Sequence, residues 1–312
     1  MLFFDKKPHE PGWMAMQFTP EGVSLVHVRQ VTDSKPLVTL CALSPSSVVD
    51  VPVLEKLAKE RHLNRYHCSF LLNSGEYQLL VVEAPNVPAT ELKTAVRWRI
   101  KDMLDFSVDD ATVDVLNIPA DKNAQARTRS LYAVAARNEV IRKRMVDFDA
   151  VKVPVSVIDI PELAQRNIAH LLEDSGRGLA LLSFGENGGL LTFTFDGELY
   201  LSRHIDVPLS LLNQPGSEQQ RHFERITLEL QRSMDHFERQ FSFIAISKLV
   251  LAPLPSAVNL EAYLATNLYL PVSTLNLDEI FDFSAVSGVG SAQRMQCFLA
   301  LGAALRTEGM AR

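Results

Sequence analysis

Few residues in this chain stand at spacings that do chemistry. The sequence holds no Gly-x-Ser-x-Gly nucleophile turn and no phosphate loop ending in Gly-Lys-Ser/Thr. Cys41, Cys68 and Cys297 are scattered, odd in number and without zinc-ligand spacing. His62, His67 and Cys68 lie close together, but the period of two in a strand sends His67 and Cys68 to opposite faces, which argues against a shared metal. Asp109 and Asp110 precede an expected strand at 111–116. They could act as a paired-acid site, and the simpler reading is that they solvate a turn. Gly185, Gly188 and Gly189 form a flexible turn that could cradle phosphate, yet a plain hairpin asks for the same residues. The loop Ser287-Gly-Val-Gly-Ser291 could hold an anion, but capping of the helix expected after it is sufficient reason for it.

The stretch 84–119 says more. Pro88, Ala89 and Thr90 open a helix, with Glu91 near its positive end. On a helical wheel Leu92, Ala95, Val96, Ile100 and Met103 share one face and are expected in the core. Arg99 falls inside that face, where an unpaired guanidinium is costly, and Trp98 falls on a flank with Glu91, Asp102 and Asp105. An indole on an acidic flank is apolar surface left for something to cover. The helix therefore reads as a docking surface lined by Trp98, Arg99 and Asp102, with Arg97 and Asp105 behind them. The plainer alternative has Arg99 reaching solvent with its stem packed and Trp98 covered by the next strand of its own chain.

At 312 residues the length suggests about two domains, and 47% hydrophobic content with both charge signs present places the chain among globular proteins. A net charge of -6 argues against nucleic-acid binding through the overall field, and the cysteine pattern fits a reducing compartment. The patch Leu2, Phe3, Phe4 is too short for a signal peptide. Contact of that patch with lipid or a partner stands as one option, folding against its own domain as the other.

Taken in order, strands at 14–18, 23–28 and 37–42 form a meander, followed by a helix at 53–61 and a strand at 67–72. Strands at 78–83, 111–116 and 130–136 surround the helix already described. A helix at 138–148, a strand at 153–158 and a helix at 161–172 follow. The stretch 78–148 thus reads as a small α/β unit inserted in a larger layer. Beyond Asp174-Ser-Gly-Arg-Gly178 a second meander appears at 179–184, 190–195 and 198–205. A long helix carries Phe223, Ile226, Leu230, Met234, Phe237 and Phe241 at steps of three and four. A strand at 248–251, a helix at 260–267 and a short strand at 272–275 follow, and Ser291 is expected to cap a final helix reaching about 305. The second half repeats the first.

The segments AVRWRIKDMLDFSVDDATVDVL, ELQRSMDHFERQ, CFLALGAALR and YQLLVVEAPNVP resemble the MshI family of mannose-sensitive haemagglutinin (MSHA) pilus biogenesis proteins. That family is related to PilM of type IV pilus machines and, more distantly, to FtsA. The resemblance runs from about 12 to 306 and is most specific at 98–102. It implies an actin-like (ribonuclease-H-like) two-domain α/β fold. The first half would span 1–175 with the α/β insertion at about 78–150, and the second 176–312, its last helix (291–306) able to pack back on the first half.

The resemblance also allows a test of the chemistry. Actin-like nucleotide sites place an aspartate and a glycine in the first meander turn, but here the turn runs Gln17-Phe18-Thr19-Pro20-Glu21-Gly22. In the second meander Leu182-Ser183-Phe184-Gly185 has serine where the acid is expected, so Ser183, Gly185, Gly188 and Gly189 stand as a vestigial nucleotide loop. A glycine-rich element expected after strand 248–251 is replaced by Ala252-Pro253-Leu254-Pro255. Without metal-positioning carboxylates phosphoryl transfer loses its electrostatic support. The expectation is a non-catalytic scaffold with no cofactor, no metal and no catalytic residues. It would sit in the cytoplasm at the inner membrane of a Gram-negative bacterium and hold the cytoplasmic N-terminal tail of a PilN-like single-span protein in a groove between the inserted unit and the first half. A homodimer is open to it. The alternative is an ATPase that binds and hydrolyses ATP through altered contacts, or a self-assembling protein like its FtsA-type relatives.

Overall fold

A computed structural model describes residues 9–121, 129–214, 216–255 and 258–307; the patch Leu2–Phe4 lies outside them. The first half opens with β1 (Glu10–Thr19), β2 (Gly22–Arg29) and β3 (Leu37–Pro45), an antiparallel meander. In β1 the residues Met14 and Met16 bury on one face and Trp13 and Ala15 on the other, as a central strand covered on both sides requires. Next comes α1 (Val51–Arg61), started by the Asp50 carboxylate, which accepts from the Val53 N–H at 3.1 Å, and stopped at His62 in the left-handed region. β4 (Tyr66–Leu71) then pairs parallel to β1.

The small unit follows: β5 (Tyr77–Glu83), α2 (Leu92–Arg99), β6 (Ala111–Asn117) and β7 (Ser130–Arg137), in a three-stranded antiparallel sheet of order β5-β7-β6. α3 (Asn138–Ala150) follows β7, touches β6 and β7 at its start and runs on beside α1. Its Phe148 ring packs at a tilt against Phe18 and Phe70 on the outer face of the first sheet. β8 (Val155–Asp159) completes that sheet in the order β3-β2-β1-β4-β8, and α4 (Pro161–His170) begins with a first-turn proline.

The second half repeats the plan. β9 (Gly178–Gly185), β10 (Gly188–Phe195) and β11 (Glu198–Ile205) form its meander. The short α5 (Leu209–Leu212) leads to α6 (Ser217–Gln240), whose Phe223, Ile226, Leu230 and Phe237 bury on the sheet while pairs such as Arg221–Glu218 face water. β12 (Ile246–Leu251), α7 (Leu260–Asn267) and β13 (Val272–Thr274) complete a sheet of order β11-β10-β9-β12-β13. Strand for strand this is the order of the first sheet, with one meander and two parallel strands in each.

The chain closes with α8 (Leu277–Ile280), α9 (Ser291–Gln296) and α10 (Phe298–Ala304). The single final helix expected from sequence is thus two, broken at Cys297. Gly290 rather than Ser291 stands at the N-cap and makes no side-chain bond there. α4 and α10 cross between the two sheets and exchange sides. α4 lies against β9, β10 and β11, whereas α10 lies against β1, β2 and β4. Gly302 makes the crossing close, since a Cβ there would stand 2.1 Å from the Ala164 carbonyl oxygen. Around the crossing the largest core gathers residues of both halves, among them Val26, Leu71, Ile168, Leu181 and Leu301.

Candidate functional site

Two places carry the residues singled out above. The first is the region where the carboxyl ends of β1, β4 and β8 meet the first turn of α4 and the β9–β10 hairpin, the end of the strands at which an α/β layer usually binds its ligand. Both meander turns here are tight: Thr19 pairs with Gly22, and Gly185 with Gly188. Their glycines answer to packing. A Cβ on Gly22 would meet the Ser44 carbonyl at 2.0 Å, one on Gly188 the Ile205 carbonyl at 2.6 Å, and one on Gly189 the Phe184 ring at 2.9 Å. Gly185 alone of these has open space around it, the Gly188 oxygen lying 4.0 Å from such a Cβ.

Ser183 is buried, and its hydroxyl donates at 2.6 Å to the side-chain oxygen of Gln165 on α4. The Gln165 amide nitrogen in turn donates to the Leu181 carbonyl at 2.7 Å, the Leu190 carbonyl at 3.1 Å and the Thr192 hydroxyl at 2.9 Å. Ser183 therefore ties the second hairpin to the helix between the halves. On the first-half side Asp159 is held by Arg306 at 2.7 Å, and its other oxygen accepts from the Ile160 N–H at 2.9 Å. Gln17 donates to Asn73 at 3.4 Å. Glu162, in the first turn of α4, accepts from the Tyr77 hydroxyl at 2.6 Å. Burial pushes the Glu162 carboxyl above its ordinary range although the Tyr77 bond opposes it, and burial likewise raises Tyr77. Sequence reading missed Gln165, Asp159, Glu162, Tyr77 and Arg306. The available signal was a glutamine and a glutamate on the apolar side of α4 and an aspartate ending a buried strand; their partners lie far away in sequence.

The second place is α2. It is shorter than expected, ending at Arg99 and passing into turns, so Met103 is 49% exposed instead of packed in the core. Arg99 is likewise not in the apolar face. Val96 and Ile100 are buried, while Arg99 lies outside and pairs with Glu83 at 3.8 Å. Arg99 is the last residue of the helix, where the chain turns away, and its long stem carries the guanidinium out to Glu83. Trp98 is 65% exposed, with no strand over it. Arg97 donates to the Ala111 carbonyl at 3.2 Å and stands 3.8 Å from Asp109, while Asp105 pairs with Arg137 at 3.5 Å and Asp102 is exposed.

The residues buried with α2 come from the small unit alone, including Val82, Leu131 and Ala133. The opposite face of that sheet packs on both halves, where Tyr132 donates to the Tyr200 carbonyl at 3.1 Å. α2 therefore lies on the outer side of the small unit. Its candidates do not line a groove against the first half, as the sequence reading had them. Of the remaining candidates, Cys68 is buried while the His67 ring lies at a tilt against His9 and Trp13. Asp109 and Asp110 form a short 3-10 turn, as a solvated turn would. Among the described residues no three His, Cys, Asp or Glu side chains converge as metal ligands, and no helix is long and apolar enough to cross a membrane.

Two sheets of one strand order, laced by crossing helices and carrying a small antiparallel unit in the first half, define an actin-like ATPase fold. The chain is similar in structure to a chain of the PilM–PilN type IV pilus biogenesis complex, with a TM-score of 0.72 and 17% identity over 96% of this chain and 99% of that one. It is also similar to the cytoplasmic domain of EpsL, an inner-membrane component of the type II secretion system of Vibrio cholerae (TM-score 0.50, 13% identity, 95% of each chain). A third likeness is to a protein of Bacteroides thetaiotaomicron with an actin-like ATPase fold and unknown function (TM-score 0.51, 9% identity, 96% of this chain and 98% of that one). No protein-family model and no curated protein sequence matches the chain.

Proposed function

We propose that this chain is a non-catalytic scaffold of a type IV pilus assembly platform. It would work at the cytoplasmic face of the inner membrane and bind the cytoplasmic tail of a PilN-like membrane protein. The observation that carries the reading is the end-to-end likeness to a chain of the PilM–PilN complex, small inserted unit included. The EpsL likeness supports the same setting, since that protein too is a component of an inner-membrane assembly machine. Within this class the MSHA type is favoured by the resemblance centred on Trp98, Arg99 and Asp102.

The non-catalytic half of the proposal draws its support from the side chains between the halves. The serine standing for the expected acid spends its hydroxyl on Gln165, and Asp159, at the end of β8 just before α4, is neutralised by Arg306. An ion pair this close disfavours a magnesium-bound triphosphate at that carboxylate. For the partner site, Trp98 and Met103 offer exposed apolar surface between fixed charges, the composition of an interaction hot spot. Titrating the chain with the tail peptide and comparing Trp98→Ala and Arg99→Ala tests this. Weakened binding in either supports the site, and unchanged affinity in both removes α2 from it.

A further inference from the structure

We infer that the pocket where the root of the β6–β7 connection meets the end of α6 binds an organic carboxylate whose acid group is carried on an aromatic or branched aliphatic body. The inference does not rest on the scaffold reading. The pocket has a volume of about 310 Å³, at the lower end of the range of about 300–1,000 Å³ that takes small ligands. One wall comes from the small unit, with Ile118, Pro119 and Arg129, and the other from the second half, with Arg239, Phe241 and Phe243. Both walls are fixed. The Ile118 N–H donates to the Ser130 carbonyl at 3.3 Å, the Arg129 carbonyl accepts from the Ala84 N–H at 2.7 Å, and Tyr132 ties the unit to Tyr200 beside it. Across the pocket the Phe241 N–H returns to the Phe237 carbonyl at 2.7 Å. Tyr200, Phe241 and Phe243 meet edge to face, their ring centroids 5.2, 6.3 and 6.4 Å apart. Phe243 nevertheless stays 38% exposed, apolar surface that a ligand would cover.

The charge around that surface is cationic. Arg129 and Arg239 both line the pocket, both are exposed, and among the described residues neither forms an ion pair. Arg239 spends its Nε on the Asp235 carbonyl at 3.1 Å, which also offsets the negative end of α6, and its two terminal nitrogens remain for a ligand. Asp121 is the one acid among the described lining residues, so two guanidiniums against one carboxylate leave one positive charge in excess. A guanidinium fork takes a carboxylate by two parallel bonds, and the phenyl rings with Ile118 and Pro119 take the body that carries it. The connection Lys122-Asn-Ala-Gln-Ala-Arg-Thr128 holds no acid and no large apolar side chain, so it lacks the chemistry to satisfy this pocket from within the chain.

The test titrates the native full chain by calorimetry with N-acetylphenylalanine and with its uncharged amide. The acid should saturate one site with a Kd of about millimolar, the amide should bind about tenfold more weakly or less, and added salt should weaken the acid. Arg129→Gln and Arg239→Gln should each weaken the acid about tenfold, while Arg142→Gln, exposed on α3, should change nothing. A tripeptide ending in phenylalanine with a free carboxylate separates the two sources of this chemistry. Tighter binding than N-acetylphenylalanine identifies the end of a polypeptide as the ligand, and equal or weaker binding a free small acid. No binding of the acid or the tripeptide, acid and amide bound alike, or acid binding unmoved by both arginine variants would each overturn the inference.

Discussion

Replacing Gly302 by alanine is the sharpest perturbation of the frame that holds the two halves together. The added Cβ would lie 2.1 Å from the Ala164 carbonyl oxygen and 2.7 Å from its carbon, both backbone atoms of the crossing helix. A carbon–oxygen contact relaxes to about 3.3 Å, so α4 and α10 must separate by about 1 Å. A gap of that size forfeits up to about half of each dispersion well along the contact. It also stretches the bond from the Asn167 amide to the Gly302 carbonyl, now 2.9 Å, which contributes about 1 kcal/mol. Overpacking of this kind costs about 1–3 kcal/mol, so the total is about 2–4 kcal/mol. At about 2–4 °C per kcal/mol, with a chain this long near the lower end, the midpoint should fall by roughly 4–10 °C. Thermal unfolding followed by far-ultraviolet circular dichroism measures it, with G185A as the control, because a Cβ there meets only the Gly188 oxygen at 4.0 Å. A G302A midpoint equal to that of the parent and of G185A would refute the close crossing.

Arg306→Ala leaves Asp159 buried without its partner and should destabilise by about 3–5 kcal/mol, read in a denaturant titration; a loss below 1 kcal/mol, on the order of a surface pair, would contradict the geometry. Glu162 has its folded value raised above the ordinary 4.5, so the unfolded chain gives up that proton first as pH rises. Its contribution is full below 4.5 and is lost as pH climbs to the folded value. Glu162→Gln, which can still bond Tyr77, should therefore gain midpoint relative to the parent on going from pH 4 to pH 7, and parallel profiles would count against it. Trp98→Ala should shift stability by no more than about 0.5 kcal/mol, because the ring is exposed, while weakening capture of the tail peptide. An ATP–magnesium thermal shift should stay flat, and a rise at micromolar nucleotide would revive the enzyme alternative.

The duplicated plan was legible because its signals are local. Alternation in the two meanders, the apolar stripe of α6 and the turn residues between strands each sit within a few positions of one another. The ends of elements were less so. Helix α2 was drawn through Met103 because the apolar spacing continues there, yet Val96 and Ile100 already fill the space over Val82 and Ala133 and the chain turns away. The break at Cys297 has no propensity signal either; it is where the chain leaves α9 to enter the space between the sheets. Between the halves, the absence of the carboxylates that the resemblance leads one to expect could be read from single positions, Ser183 among them. What those positions do instead could not, since Ser183–Gln165, Asp159–Arg306 and Tyr77–Glu162 are contacts between elements distant in sequence. The exchange of sides by α4 and α10 is of the same kind. It depends on which sheet each helix reaches, and the close backbone approach at Gly302 shows only in the folded chain.

The central claim is that this frame holds a polypeptide and not a nucleotide. Isothermal titration of the full chain with the cytoplasmic N-terminal tail of a PilN-like single-span membrane protein, run with and without ATP–magnesium, tests that claim most directly. The account predicts saturable one-site binding of the peptide, unaltered by nucleotide, and no heat from ATP alone. Silence with the peptide together with ATP binding and phosphate release would contradict it.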